Sequence, residues 1–204
     1  MSATAAALSA SPPAHLEHRT STGLGNRKLV FWTFLGSECM FFGSLIATYL
    51  IYRGHDRVGP HPHEILNIPL TSYSAFLLLM RSLTMVLALS SVQRGNVRGT
   101  RIWLAATALL GMHFVANQVY EFASFVHEGL RLQTNLFGSS FYVLTGFHGT
   151  HVTVGIVWLW TLFGMAVRGR LPKERALDVE IAGLYWHFVD VVWIAIFTLV
   201  YLIQ

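Results

Sequence analysis

Several polar and ionisable side chains lie inside long apolar stretches of this 204-residue sequence. Ionisable groups are costly within a bilayer, and they usually face the interior of a helical bundle or a water-filled cavity. Their types could support proton exchange, ligation of a metal or haem, ion pairing or binding of a polar head group. The set comprises Glu38, Arg81, His113, Gln118, Glu121, His148, His151, His187 and Asp190.

The spacing of these residues predicts how they are arranged. His187 and Asp190 are three positions apart, so they share one face of a helix. The depth of each residue is counted from the cytoplasmic end of its helix, at a rise of about 1.5 Å per residue. These depths predict two polar layers. The inner layer would contain Glu38, Arg81, His187 and Asp190. The outer layer would contain Gln118, Glu121, His148 and His151.

In the inner layer, one arginine has two possible acidic partners. Arg81 would pair with either Glu38 or Asp190, because an unpaired cation would be costly at this depth. Glu121 is expected at the end of its helix, where an acid costs little.

Four interpretations of these groups are open. Metal or haem ligation often uses facing histidines or Glu-x-x-His pairs, and the sequence contains no Glu-x-x-His. Glu38 could exchange protons, although acids at successive depths, which a complete path would need, are missing. Basic and aromatic side chains could hold phospholipid head groups. Polar bonds between helices could simply fix the packing. The last two interpretations are favoured over catalysis.

The composition indicates which elements hold these groups. Apolar residues make up 53% of the chain and charged residues 12%, and the mean hydropathy is +0.51. This excludes a disordered chain, a coiled coil and an ordinary cytosolic enzyme. Cys39 is the single cysteine, which excludes an internal disulfide and a cysteine metal cluster. The class that remains is a polytopic membrane protein.

Five continuous apolar stretches are long enough to cross a bilayer as helices, which need about 20 residues each. We therefore predict an all-α, five-helix transmembrane bundle over residues 29–204, preceded by a mobile cytoplasmic tail at 1–28. The predicted spans are 29–52, 69–93, 101–125, 138–167 and 179–203.

The distribution of basic residues predicts the orientation. Lys and Arg are concentrated in the tail and in the segments 94–101 and 168–175, which lie on one side of the membrane if five helices alternate. Because positive charge remains cytoplasmic, we expect the N-terminus inside and the C-terminus outside. The same argument explains the net charge of +4 without a nucleic-acid partner.

Four motifs, in order, resemble those of haem–copper oxidase subunit III. Residues 37–42 resemble its Ser-Glu-x-x-Phe-Phe motif, and residues 118–122 its Gln-x-x-Glu-aromatic segment. Residues 141–152 contain its Thr-Gly-Phe-His-Gly-x-His-Val stretch, and residues 185–193 are similar to its C-terminal signature. The resemblance spans about residues 27–204.

The resemblance implies a subunit without a redox centre. Such a subunit packs against the catalytic subunit I, holds phospholipid in a cleft and supports proton uptake in a complex that reduces oxygen and pumps protons. Haem and copper are expected in the partner subunits, which would include subunits I and II and a small subunit IV. The expected location is the bacterial inner membrane.

The resemblance maps the intramembrane carboxyl of the family onto Glu38, and the histidines and acid of its later motifs onto His148, His151, His187 and Asp190. Together with the positions of the other buried polar residues, this predicts two groups. Proton uptake, or a buried polar layer, would involve Glu38, Arg81, His187 and Asp190. Contacts with lipid or between helices would involve Gln118, Glu121, His148, His151 and Trp186.

Two features depart from the long form of the family. That form has seven helices, whereas five are predicted here, as in the short bacterial form, so another subunit would have to complete the lipid cleft. Arg81 stands where a small or neutral residue is expected. A bacterial cytochrome c oxidase is the favoured assignment. The alternatives are a quinol oxidase, the accessory membrane protein of nitric oxide reductase, and an independent transporter of protons or solutes, for which an internal repeat would be typical.

Overall fold

Five long helices make up the computed structural model, which describes residues 26–52, 68–127, 129, 132–133 and 136–203. Each of the five is long and apolar enough to cross a membrane, and no strand occurs in these ranges. The predicted all-helical class with five spans is therefore confirmed. The helices are α1 (Asn26–Tyr52), α2 (Ile68–Gln93), α3 (Val97–His127), α4 (Leu136–Val167) and α5 (Ala176–Ile196).

The helix ends differ slightly from the predicted ones. The start of α3 lies four residues before the predicted position 101, because Asn96 caps it: the Asn96 side-chain oxygen accepts a hydrogen bond from the backbone N–H of Gly99 at 3.0 Å. The last turn of the chain continues α5 as a π-helical segment, Phe197–Leu202. Of the predicted tail, Asn26–Lys28 belong to α1, and residues 1–25 lie outside the described ranges.

A tight turn makes α2 and α3 antiparallel neighbours. Gly95 adopts a φ of 69°, a left-handed conformation that glycine tolerates best at a helix end. The N–H groups of Gly95 and Asn96 donate to the carbonyls of Val92 and Ser91 at 2.9 Å each, which satisfies the end of α2. The chain can then reverse direction within a few residues and pack α3 along the whole of α2.

The core lies among α2, α3, α4 and α5, and α1 is attached to its side. Helix α1 contacts α4 and α5 through a narrow stripe of buried side chains, Leu35, Phe42 and Tyr49. These residues are seven positions apart, so they lie on one edge of the helix. The rest of α1, including Met40, is largely exposed on the surface of the bundle.

Two glycines allow a tryptophan of α5 to enter the centre of the bundle. A Cβ atom added to Gly111 of α3 would lie 3.0 Å from Cη2 of Trp186, and one added to Gly155 of α4 would lie 2.8 Å from its Cε3. The indole is therefore enclosed by the backbones of α3 and α4. This close approach sets the distance between three helices at the level of the polar core.

Candidate functional site

An ion pair between α2 and α5 lies at the centre of the bundle. Arg81 Nη2 and Nε donate to the same carboxylate oxygen of Asp190, at 2.6 Å and 3.0 Å. The Arg81 side chain is 0% exposed and that of Asp190 is 6% exposed. Of the two partners predicted for Arg81, the structure selects Asp190. The carboxylate neutralises a charge that would be strongly destabilising alone in a low-dielectric core.

Aromatic rings complete the environment of the Arg81 cation. The guanidinium carbon lies 5.0 Å from the ring centroid of Phe114 and 4.7 Å from that of Trp186. Both distances are within the range in which a cation is attracted to the face of an aromatic ring. Helices α2, α3 and α5 are thus joined through one charged group.

His148 extends this core towards α4. Its ring is fully buried, stacks on Trp193 at a centroid distance of 5.0 Å and meets Phe114 edge-on at 5.9 Å. Neither ring nitrogen has a hydrogen-bond partner among the described residues. Within those ranges no three His, Cys, Asp or Glu side chains gather in a way that could hold a metal ion. The surroundings of His148 are those of an aromatic packing residue.

A second acid–base pair lies at the surface of the bundle, between α1 and α4. His151 Nε2 is 3.2 Å from Glu38 Oε2, and each side chain is 18% exposed. The two atoms are within ion-pair distance but are not aligned as a hydrogen bond. His151 Nδ1 lies 2.8 Å from the backbone carbonyl of Phe147, which can only accept, so this nitrogen carries a proton.

The tautomer of His151 determines what the pair can do. With Nδ1 protonated, a neutral imidazole turns the lone pair of Nε2 towards Glu38. The pair therefore places an imidazole nitrogen and a carboxylate oxygen side by side between α1 and α4.

This pair opens into a cavity of about 380 Å³. Its walls include Phe34, Val154 and Trp158, which are apolar, and Tyr185, whose hydroxyl donates to the backbone carbonyl of His151 at 3.0 Å. The cavity combines an apolar wall with a titratable pair at one place.

The grouping of Glu38 and His151 differs from the predicted two layers. The prediction assigned Glu38 to the inner layer and His151 to the outer one, yet the two are in contact, and Glu38 does not pair with Arg81. Helix α4 has 32 residues and is about 48 Å long, well beyond the roughly 30 Å of a hydrocarbon core. Counting residues from its end therefore misplaces side chains relative to the shorter α1.

Two other predicted contact residues bond to neighbouring helices. Gln118 Nε2 donates to the backbone carbonyl of Thr145 at 2.8 Å, which joins α3 to α4. Glu121 accepts a hydrogen bond from the hydroxyl of Thr71 at 2.7 Å, which joins α3 to α2. Glu121 is buried within α3, so the expectation that it lies at the helix end was wrong.

The sequence comparisons identify the family. Residues 19–204 match the family described as cytochrome c oxidase subunit III. This chain belongs to that family. The resemblance inferred from the four motifs is thereby confirmed.

Relatives of this subunit III include subunits of quinol oxidases and of cytochrome c oxidases. Quinol oxidase subunit 3 of Bacillus subtilis (strain 168) is 42% identical over 189 residues, covering 93% of this chain and 92% of the relative. Cytochrome c oxidase subunit 3 of Bacillus sp. (strain PS3) is 40% identical over 190 residues, with the same coverage. A probable quinol oxidase subunit 3 of Staphylococcus saprophyticus is 44% identical over 190 residues, covering 92% of this chain and 94% of the relative.

Membership of the family defines the setting of the polar groups. This subunit III is a membrane protein of a haem–copper oxidase of the respiratory chain and forms part of a multi-subunit complex. The polar core and the Glu38–His151 pair are therefore features of one component of that complex.

Sequence reasoning missed the hydroxyl partners in this subunit III. The Ser82 hydroxyl lies 2.9 Å from His187 Nδ1, and the hydroxyls of Thr84 and Thr107 lie 2.8 Å apart. Single serines and threonines are common in membrane helices, where they usually bond to their own backbone. No pattern in the sequence distinguishes the serines and threonines that bond to a neighbouring helix from those that bond to their own.

Two ion pairs at one end of the bundle were also missed. Arg27 Nη2 lies 2.7 Å from Asp178 Oδ1, and Lys28 Nζ lies 2.6 Å from Glu180 Oε1. Both join the start of α1 to the start of α5. The basic residues at 27–28 and the acidic residues at 178–180 are visible in the sequence. Their pairing could be predicted only with the knowledge that the starts of α1 and α5 are adjacent.

Proposed function

We propose that this subunit III is a non-catalytic component that packs against subunit I of the oxidase and stabilises it. The complex would couple the oxidation of cytochrome c to the reduction of oxygen and the pumping of protons. Subunits I and II would carry the haem and copper, and a small subunit IV would complete the assembly. The chain would lie in the bacterial inner membrane with its N-terminus in the cytoplasm and its C-terminus outside.

The interior of the bundle supports a structural role. Arg81 and Asp190 neutralise each other, and Phe114 and Trp186 enclose the guanidinium. These side chains contact one another across helices and are buried. A buried ion pair of this kind constrains which helices meet and in which register.

The Glu38–His151 pair is the single observation that carries the functional part of the proposal. It is partly exposed, it brings an acid and an imidazole together, and it lies in a cavity of about 380 Å³ with apolar walls. A phospholipid would place an acyl chain along Phe34 and Trp158. The same pair would support proton uptake by the complex by exchanging its proton near the membrane.

The test replaces the acid while keeping its size and polarity. In Glu38→Gln, we expect assembly of the complex and its haem absorption spectrum to be unchanged, because we propose that other subunits bind the haem. Proton uptake during turnover, or the amount of phospholipid retained by the purified complex, should fall. The matched control is Cys39→Ser, an exposed neighbour on α1 that does not line the cavity.

Either of two results would contradict the proposal. One is the loss of the haem spectrum from an otherwise assembled Glu38→Gln complex, which would indicate a direct role at the redox centre. The other is a variant that matches the control in proton uptake and in phospholipid content.

A quinol oxidase is the second candidate, because relatives named quinol oxidase subunit 3 are 42% and 44% identical to this chain. The purified complex would be assayed with reduced cytochrome c and, separately, with a quinol. Oxygen consumption with cytochrome c supports the first proposal. Consumption with the quinol alone supports the second.

A further inference from the structure

One end of the bundle is strongly basic. Arg101, near the start of α3, donates through Nε and Nη2 to the carbonyls of Ala166 and Val167 at 3.1 Å and 3.3 Å, so segment 94–101 lies beside the end of α4. Segments 94–101 and 168–175 contain one acid, Glu174, and a larger set of basic residues: Arg94, Arg98, Arg101, Arg168, Arg170, Lys173 and Arg175. Among the described residues, no acid lies within ion-pair distance of any of these basic side chains. The positive charge of this end is therefore not neutralised within the fold.

An apolar groove adjoins this basic end. It has a volume of about 420 Å³, follows the last two turns of α4 and is here termed the α4 groove. Its lining includes Trp160, Phe163 and Val167, and it ends at Arg168, directly after the helix. A Cβ atom added to Gly164 would meet nothing within 4 Å, so the absence of a side chain at this position leaves the groove open.

The aromatic wall of the α4 groove is held in place by neighbouring side chains. Trp160 Nε1 donates to Met112 Sδ of α3 at 3.4 Å, and its ring meets that of Phe163 edge-on at a centroid distance of 5.3 Å. The polar atom of the indole is thus bonded, while 38% of the residue remains exposed. This wall presents apolar surface in a fixed orientation.

The end of α4 fixes the backbone from which Arg168 extends. Gly169 has a φ of 68°, and the N–H of Arg170 donates to the carbonyl of Met165 at 2.9 Å, which closes the helix. Free carbonyls at a helix C-terminus repel anions. Here Arg101 bonds to two of those carbonyls, so the end of the groove carries a net positive charge.

Charge and apolar surface together determine which ligand fits. A free anion would use the arginines but would leave the apolar walls uncovered. A zwitterionic phospholipid would cover the walls but would bring a second cation to a basic site. An anionic phospholipid matches both parts, because its phosphate meets the arginines and its acyl chain follows the groove.

We propose that the α4 groove binds an anionic phospholipid, with the phosphate at Arg168 and an acyl chain along Trp160 and Val167. This site goes beyond the proposed function, because the groove shares no lining residue with the cavity beside Glu38.

The first experiment tests the class of ligand. The full chain in mild detergent is titrated separately with dioleoylphosphatidylglycerol, dioleoylphosphatidylcholine and inorganic phosphate, and native mass spectrometry counts the bound molecules. We expect phosphatidylglycerol to bind more tightly than either of the others. Equal affinity for the two lipids would refute the role of charge, and equal affinity for inorganic phosphate would refute the role of the acyl chain.

The second experiment tests the place of binding. Arg168→Gln should weaken the binding of phosphatidylglycerol about 5-fold, the effect of one basic residue at an anionic surface. Gly164→Leu should also weaken it, because the new side chain fills the groove, and should not lower the melting temperature of the chain. The matched control is Arg94→Gln, which removes the same charge from the same end but does not line the groove. It should bind the lipid like the wild type.

Two results of the second experiment would overturn the site. One is wild-type binding in both Arg168→Gln and Gly164→Leu. The other is an equal loss in Arg94→Gln and Arg168→Gln, which would indicate general attraction to the basic end.

The variant Glu38→Gln separates this site from the proposed function. We expect it to bind phosphatidylglycerol like the wild type, because Glu38 is remote from the groove lining. A loss of binding in Glu38→Gln, with none in Arg168→Gln, would place the lipid in the other cavity. That result would refute the α4 groove and leave the proposed function intact.

Discussion

The buried ion pair makes a quantitative prediction through Asp190→Asn. This substitution keeps the shape of the side chain but removes the charge that neutralises Arg81. It weakens the two hydrogen bonds, at 2.6 Å and 3.0 Å, that converge on one carboxylate oxygen. The guanidinium then remains as an uncompensated cation at a site where its side chain is 0% exposed.

The expected loss of folding stability follows from the cost of leaving a buried charge without its partner. Breaking a buried ion pair by removing one partner typically destabilises a protein by about 3–5 kcal/mol. The rings of Phe114 and Trp186 lie over the cation in the wild type and in the variant, so their contribution cancels from the difference. We therefore expect a loss of about 3–5 kcal/mol, which is roughly a 150- to 5,000-fold change in the folding equilibrium.

A double variant supplies the decisive comparison. Arg81→Met with Asp190→Leu replaces both charges by apolar groups, so no buried charge is left unpaired. Replacing a whole buried pair in this way is often neutral or stabilising. We expect the double variant to regain most of the stability lost in Asp190→Asn.

Thermal unfolding of the full chain in mild detergent measures these differences, and retention of subunit III in the purified complex provides a second readout. A single variant within about 0.5 kcal/mol of wild type would refute the claim that the pair stabilises the bundle. A double variant no more stable than Asp190→Asn would show that the loss comes from changed packing, because removing both charges would then bring no recovery.

Two further variants test the packing and the polar contacts by the same unfolding assay. Gly155→Ala should lose about 1–3 kcal/mol, because the added methyl group overlaps the Trp186 ring. The control Gly164→Ala, which has open space on the same helix, should be neutral or slightly stabilised, and equal effects at both sites would contradict the enclosure of Trp186. Thr71→Val should lose about 1–3 kcal/mol by removing the hydroxyl that donates to buried Glu121. A wild-type melting temperature in this variant would indicate that Glu121 does not depend on the bond.

The number and type of the helices could be predicted because these features are local. A run of about 20 apolar residues has one stable solution in a bilayer, a helix with all its backbone hydrogen bonds internal. The prediction of α2 at 69–93 against the observed Ile68–Gln93 shows how well such a run defines its own ends. The family could be recognised for a similar reason, because its motifs are short and continuous in the sequence.

The partners of the buried polar groups could be predicted only in part. Arg81 had two candidate acids at similar depth, and depth alone did not distinguish Asp190 from Glu38. Glu38 instead meets His151, which residue counting had placed in another layer. Depth along a helix is a one-dimensional quantity, whereas pairing also depends on the rotation and tilt of each helix.

The sequence by itself determined that the chain crosses a membrane with five helices, that it buries ionisable groups, and that it belongs to the subunit III family, because hydropathy, composition and motifs are properties of single segments. Only the tertiary structure decided that Asp190 neutralises Arg81, that two glycines admit Trp186, and that Glu38 lies beside His151. The physical reason is that these contacts join residues of different helices. Their formation depends on how the helices cross, which is set by packing over the whole bundle.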